Sequence, residues 1–181
     1  DLLKARGYNP HLLTRGYGGS EAGPLQVSPG RDTAEDVGDE ALLLVTKAPT
    51  WVSRNRALGA QEAIDTGANI IVMDDGYQNP SIYKDFSLLV IDGAAGFGNG
   101  RLLPAGPLRE GLGRLRQVDL VLAHGPLSPA LHAALGSTPV YSMTLEGREL
   151  RQLGGAGGRI DAAELRGRKV HAFAGIGRPQ R

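Results

Sequence analysis

Two carboxylates, Asp74 and Asp75, stand directly behind the apolar run Ile70-Ile71-Val72-Met73 and directly before Gly76. Four apolar residues in a row are too few for a buried helix and suit a buried strand. In an open parallel sheet, ligands sit outside the carboxyl ends of the strands, so acids placed there stand where chemistry is usually done. A hydrophobic strand ending in Asp is one way to hold Mg²⁺, a hard cation that takes oxygen ligands beside phosphates. A strand capped by an ordinary Asp-Gly turn fits the same letters. A second acidic pair, Asp39-Glu40, lies early in a helical pattern. It suits a general base or a metal contact, and equally the plain preference of carboxylates for the first turns of a helix. Arg54 and Arg56 follow the short strand pattern Thr50 to Ser53, where they suit phosphate, or are solvated charges at a helix start. Arg15 opens the run Arg15-Gly16-Tyr17-Gly18-Gly19-Ser20. Its glycines and planar guanidinium suit a phosphate or sugar, but the run lacks a Gly-Lys-Ser/Thr ending and also reads as a surface turn.

The elements that must position these residues alternate. Asp1 to Gly7 reads as the end of a helix and His11 to Thr14 as a strand. Glu21 to Asp32 reads as a loop, and one helix follows from Thr33 with Val37, Ala41, Leu44 and Val45 on its apolar face. Thr50 to Ser53 is a strand, and Ala57 to Gly67 is a helix stopped by Gly67 before the Ile70 strand. Strand, helix, strand in this order predicts a parallel sheet and an α/β fold. Phe86 to Asp92 reads as another buried strand ending in a turn Asp. Leu112 to Arg116 reads as a short basic helix, Asp119 to Ala123 as a strand followed by a structural His124, and Pro139 to Leu145 and Lys169 to Ala174 as further strands. Gly154 to Gly158 reads as a flexible turn and Asp161 to Leu165 as a short helix. Between these lies a long loop, Gly93 to Glu110, of a length that is usually functional or disordered. Its Phe97, Leu102, Leu103 and Leu108 beside Arg101 and Arg109 suit an amphiphilic substrate or a membrane edge better than disorder.

Composition narrows the classes. The 181 residues are enough for one domain with a small appendage. A net charge of +1 with 22% charged residues gives no basic face for nucleic acid. The absence of cysteine removes disulfides and thiolate metal sites. No apolar run reaches the ~18 residues of a membrane span, which leaves peripheral membrane contact open.

Taken together, the blocks RGYGGS, VGDE (Val37 to Glu40), DDGYQNP (Asp74 to Pro80), KDFSLLVID (Lys84 to Asp92), GFGNGRLLPAGPLRE (Gly96 to Glu110) and FAGIGRPQR (Phe173 to Arg181) resemble the tetraacyldisaccharide 4'-kinase family. The resemblance implies a P-loop NTPase-like, mostly parallel sheet with helices on both faces over residues 1–136, and the start of a smaller C-terminal α/β lobe over 137–181. It implies ATP and Mg²⁺ as cofactors and a lipid A disaccharide precursor as the acceptor of phosphate. The implied place is the cytoplasmic face of the inner membrane, held peripherally, with a monomer favoured. Residue by residue, it makes Asp39 the base, with Glu40 beside it, Asp74 the magnesium carboxylate and Asp75 a second active-site acid. Arg54 or Arg56 becomes a contact to the cofactor's phosphates, and Arg15, Gly18, Gln78, Asn99, Arg101, Arg109 and Glu110 become contacts to the substrate. Tyr77 stands where the family often has Phe. The family's Walker A lysine and threonine are expected before Asp1, and the histidine partner of the base after Arg181. On that expectation the chain is an internal fragment that does not turn over by itself. Two other readings stay open, a P-loop kinase or ligase for a soluble metabolite, and a non-catalytic module binding a phosphosugar or lipid.

Overall fold

A computed structural model describes residues 1–147, 149–151 and 158–171. The chain falls into two compact units, Asp1–Ser87 and Leu88–Arg181. This cut lies inside the 1–136 span expected as one core.

In the first unit β1 (Pro10–Thr14) lies between β3 (Thr50–Val52) and β4 (Ile70–Met73) and is parallel to both, while β2 (Leu25–Gln26) joins β3 antiparallel at the edge. Its helices are α1 (Leu2–Ala5), α2 (Ala34–Val37), α3 (Asp39–Leu44) and α4 (Arg56–Asp65). Side chains alternate across a strand. Leu13 and its register partner Trp51 therefore share one face, where they pack with Ala60 and Ala63 of α4. Val52, one residue on, packs on the other face with Val37 and Ala41. Helices thus cover both faces of this sheet, as expected. Small residues bring α4 close: a Cβ on Gly59 would lie 2.6 Å from Ser53 Cβ and 2.8 Å from Leu13 Cδ1.

Three expectations are corrected. The single helix from Thr33 is two, because Gly38, with φ 82° and ψ 152°, breaks it. Thr33 and Asp36 form a capping box on the first piece, so Asp39 opens the second rather than continuing the first. The Ile70 strand is not fully buried: among the described residues β4 pairs on one side only, and Val72 is 41% exposed. The loop from Glu21 to Asp32 contains the short strand β2.

In the second unit β5 (Leu88–Asp92), β6 (Leu120–His124) and β7 (Val140–Met143) form a parallel sheet in that order. The strand expected from Phe86 is also an edge, with Ile91 buried but Leu88 and Val90 exposed. Leu112–Gln117 forms a 3-10 helix. A helix absent from the sequence reading, α5 (Pro129–Leu135), joins β6 to β7; Ser128 caps it and Leu131 and Leu135 bury its apolar face. β8 (Glu149–Arg151) pairs antiparallel with β9 (Arg159–Asp161), followed by a 3-10 helix at Ala162–Leu165. Of the turn expected at Gly154 to Gly158, all but Gly158 lies outside the described residues. Lys169 to His171 are not in a strand, and the rest of the strand expected there lies outside the described residues. Among the described residues no helix is long and apolar enough to cross a membrane.

Candidate active site

The parallel registers Leu13 to Met73 and Thr14 to Val52 end three strands nearly level, so Arg15, Ser53 and Asp74 leave the sheet at one edge. Main-chain bonds continue the ladder there: Asp74 N–H donates to Leu13 O at 3.0 Å and Ser53 N–H to Thr14 O at 3.1 Å. Arg56, the first residue of α4, is only 5% exposed. Its Nη1 donates to Ser53 O at 3.5 Å and its Nη2 to Asp74 O at 3.4 Å, which ties the ends of β3 and β4 together. Burial lowers its pKa and the nearby Arg15 adds to this, while Asp74 and Asp75 pull the other way. Guanidinium pKa values lie so high that it stays a cation. Arg56 thus feels one further cation and two carboxylates at the carboxyl edge.

Asp75 is the one non-glycine residue with positive φ, 48°, among the described residues. A left-handed backbone costs an ordinary residue about 1–2 kcal/mol. Gly76 follows because a Cβ there would lie 2.5 Å from Met73 Cβ. Asp74 is half-buried, while Asp75 and Gln78 are exposed.

The glycine-rich loop has its own structural demand. A Cβ on Gly19 would lie 2.5 Å from Asp36 O and 2.7 Å from Gly38 N, and one on Gly38 would lie 2.5 Å from Tyr17 O. Backbone is pressed on backbone, and Ser20 N–H and Glu21 N–H donate to Glu35 O and Asp36 O, both at 2.9 Å. These amides hold the end of α2 and the Gly38 break, and so fix where Asp39 and Glu40 start α3. Both acids are exposed, and Asp39 Oδ1 accepts from Glu40 N–H at 2.9 Å. Arg54 is exposed and donates from Nη2 to Ser20 O at 3.4 Å, on the same loop. Arg15 and Gly18 are exposed too, with open space around Gly18.

Asn99, Arg101, Arg109 and Glu110 belong to the second unit, on the loop after β5. Arg101 and Arg109 are exposed. Asn99 has both ends of its amide engaged within the loop: Nδ2 donates to Ala105 O at 2.8 Å, and Oδ1 accepts from Arg101 N–H at 3.1 Å. Glu110 accepts from Arg114 Nε at 3.1 Å. Asp92 caps its own turn through Ala94 and Ala95 N–H, and His124 Nδ1 lies 3.4 Å from Met143 O, which suits the structural roles expected of both.

Among the described residues no three His, Asp or Glu side chains converge into a metal-holding group. That donor set still fits Mg²⁺, which usually keeps waters and takes one or two carboxylates beside substrate phosphates. Asp74, with Asp75 next to it, is the pair that would supply them.

Sequence reasoning passed over His11. It is 3% exposed in β1 and accepts the Trp51 indole N–H at Nδ1, 3.2 Å away. Burial lowers its pKa. The pair is part of the core, and no local signal marks it.

A family model described as tetraacyldisaccharide-1-P 4'-kinase matches residues 1–181. A tetraacyldisaccharide 4'-kinase of Rhodospirillum centenum is 50% identical over 99% of this chain and 51% of its own length. One from Rhodospirillum rubrum is 48% identical over 100% of this chain and 53% of its own. The chain thus spans about half the length of the curated relatives it matches. The crystal structure of LpxK from Aquifex aeolicus, an "apo" form in complex with ATP, superposes with a TM-score of 0.63 at 24% identity, covering 78% of this chain and 46% of that one. At that identity the likeness concerns the α/β fold alone.

Proposed function

The chain belongs to the tetraacyldisaccharide-1-P 4'-kinase family, and from that premise we propose that it contributes to ATP-dependent phosphorylation of the 4'-hydroxyl of a lipid A disaccharide 1-phosphate precursor. The observation that carries this reading is the carboxyl edge of the first unit, where three parallel strands end level and the buried Arg56 holds Asp74 by its main-chain oxygen, with Asp75 next in the chain. Phosphoryl transfer needs little covalent chemistry from the protein and depends on positioning and on charge stabilisation. Asp74 would hold Mg²⁺, with Asp75 as a second acid, and the metal would neutralise charge on the phosphates. Asp39, with Glu40 beside it, would take the proton of the attacking sugar hydroxyl. Arg54 and Arg56 act on the phosphate side, Arg56 from its buried place behind the edge. Arg15, Gly18 and Gln78 are candidate acceptor contacts in the first unit, and Arg101, Arg109 and Glu110 in the second. In this reading residues 1–136 belong to the kinase core and 137–181 begin a smaller C-terminal lobe. The acceptor is a lipid, so a monomer held peripherally at the cytoplasmic face of the inner membrane suits the chemistry, with exposed Leu102 and Leu103 facing acyl chains. No nucleic acid is involved.

The test uses the protein expressed from the complete reading frame that contains this sequence, with labelled γ-phosphate from ATP and Mg²⁺, on the tetraacyl disaccharide 1-phosphate and on water-soluble acceptors. Turnover on the lipid is expected, and Asp39→Asn and Asp74→Asn each lower kcat by at least about a hundredfold. A clear preference for a soluble acceptor, or variants that turn over like the parent, overturns the proposal. The 181 residues hold no Gly-Lys-Ser/Thr sequence, and without that lysine cradle they are not expected to turn over by themselves.

A further inference from the structure

The loop after β5 is closed by its own bonds. Leu108 N–H donates to Arg101 O at 3.1 Å, Leu103 N–H to Leu108 O at 2.9 Å and Gly106 N–H to Leu102 O at 3.0 Å. Leu102 and Leu108 form an isolated bridge, so the chain leaves and returns at one neck, as in a compact Ω-loop. Arg101 precedes this bridge and Arg109 follows it. The two cations assigned to an anionic acceptor thus flank a single closure.

The exposed Asn99 side chain ties two stretches of that loop together. It receives Arg101 N–H on one end and gives a hydrogen to Ala105 O on the other. Glycine at 106 is required by the same contact: a Cβ there would lie 2.2 Å from Asn99 Oδ1 and 2.4 Å from Arg101 O. An aspartate at 99 keeps the acceptor and loses the donor, and an alanine loses both.

We propose that Asn99 is a positioning residue whose amide clasps the 99–108 loop and so sets the spacing at which Arg101 and Arg109 meet the anionic, acylated acceptor. The role differs from direct substrate contact in that it is exerted through the loop's own Ala105 O and Arg101 N–H. It rests on the function proposed above only for the identity of the acceptor.

The experiment compares the parent protein, from the complete reading frame, with Asn99→Ala, Asn99→Asp and Gly106→Ala by amide hydrogen exchange and by steady-state kinetics. Asn99→Ala and Gly106→Ala are expected to raise exchange in the 99–108 segment several-fold to about tenfold, with exchange in residues 1–87 unchanged, which also reports that the protein folds. KM for the lipid acceptor is expected to rise about tenfold or more while KM for ATP stays put. Asn99→Asp falls between parent and Asn99→Ala on both readouts. The double variant Asn99→Ala/Gly106→Ala is no worse than Gly106→Ala alone, because a methyl at 106 already displaces the Asn99 side chain while its press on Arg101 O is common to both. Unchanged exchange in Asn99→Ala overturns the clasp. Raised exchange with unchanged lipid KM overturns the positioning role, and equal rises in both KM values point to a merely structural effect and overturn it too. A parent protein with no turnover on the lipid refutes the proposed function and the positioning role together, while the exchange data still decide whether the clasp exists.

Discussion

Gly38→Ala separates the two reasons for which glycine is needed where the glycine-rich loop meets the start of α3. Gly38 sits at φ 82° and ψ 152°, a region that is essentially glycine-only and costs another residue of order 1–3 kcal/mol. Its added methyl would also stand 2.5 Å from Tyr17 O, a backbone atom that has to shift, and forced repacking of that kind costs about 1–3 kcal/mol more. The sum, about 2–6 kcal/mol, is a large part of the ~5–15 kcal/mol that holds a domain together. Two neighbours split the total. Gly18 has φ 83° but open space around its Cβ position, so Gly18→Ala carries a backbone cost alone. Gly19 has no positive φ, yet its Cβ would lie 2.5 Å from Asp36 O, so Gly19→Ala carries the contact cost alone. Urea unfolding at constant m gives each difference as a shift of midpoint, with ~1–3 kcal/mol of stability per molar urea. Gly38→Ala is expected to lose the most and the other two variants less. If Gly19→Ala unfolds at the parent's midpoint, the backbone contact does not hold the loop to α3. The account of how Asp39 is placed then fails with it.

Arg56→Met keeps the apolar stem of a buried side chain but removes both bonds to Ser53 O and Asp74 O. It should lower stability by about 1–3 kcal/mol, whereas Arg54→Met, at an exposed site, should stay within about 0.5 kcal/mol; equal midpoints for the two in thermal or urea unfolding would contradict the role given to Arg56. His11 has a folded pKa below its ordinary 6.5. The unfolded chain therefore takes up the proton first as pH falls, so stability drops from pH 6.5 down to the folded pKa and levels off beyond it. The slope from this group reaches at most ~1.4 kcal/mol per pH unit. His11→Gln, which keeps an acceptor for the Trp51 indole, should flatten the slope of urea midpoints in that window; a slope equal to the parent's would place its origin elsewhere.

The elements with their own punctuation were legible. β1, β3 and α4 follow the sequence pattern closely because short apolar runs and Gly67 bound them, and Asn55 caps α4 through Leu58 N–H. The Ser128-Pro129 start of α5 is an equally local signal, a cap followed by proline in the first turn. Other features have no local signature. Gly38 breaks a helix whose apolar positions continue through Val37 and Ala41 on the same core cluster, so periodicity alone runs straight across it. An all-apolar strand such as Ile70 to Met73 signals burial on two faces, but the pairing of β4 is decided by which strands lie beside it.

The same distinction governs the acidic pair that suggested the chemistry. That Asp74 leaves the sheet at a carboxyl end follows from the length of one apolar run, and it needs no other part of the chain. Its setting depends on β1, β3 and β4 ending level and on a cation from α4 reaching back beneath them. Arg56 holds Asp74 by the main-chain oxygen, which leaves the carboxylate out of that bond and fixes the backbone from which it projects. Asp75, at φ 48°, then turns the chain sharply after one further residue, and Gly76 lets it pass close over Met73. A buried cation on the carbonyl and a strained residue next to the carboxylate give the first acid a rigid base. The metal-holding role proposed for Asp74 needs such a base, because phosphoryl transfer depends on position rather than on covalent chemistry.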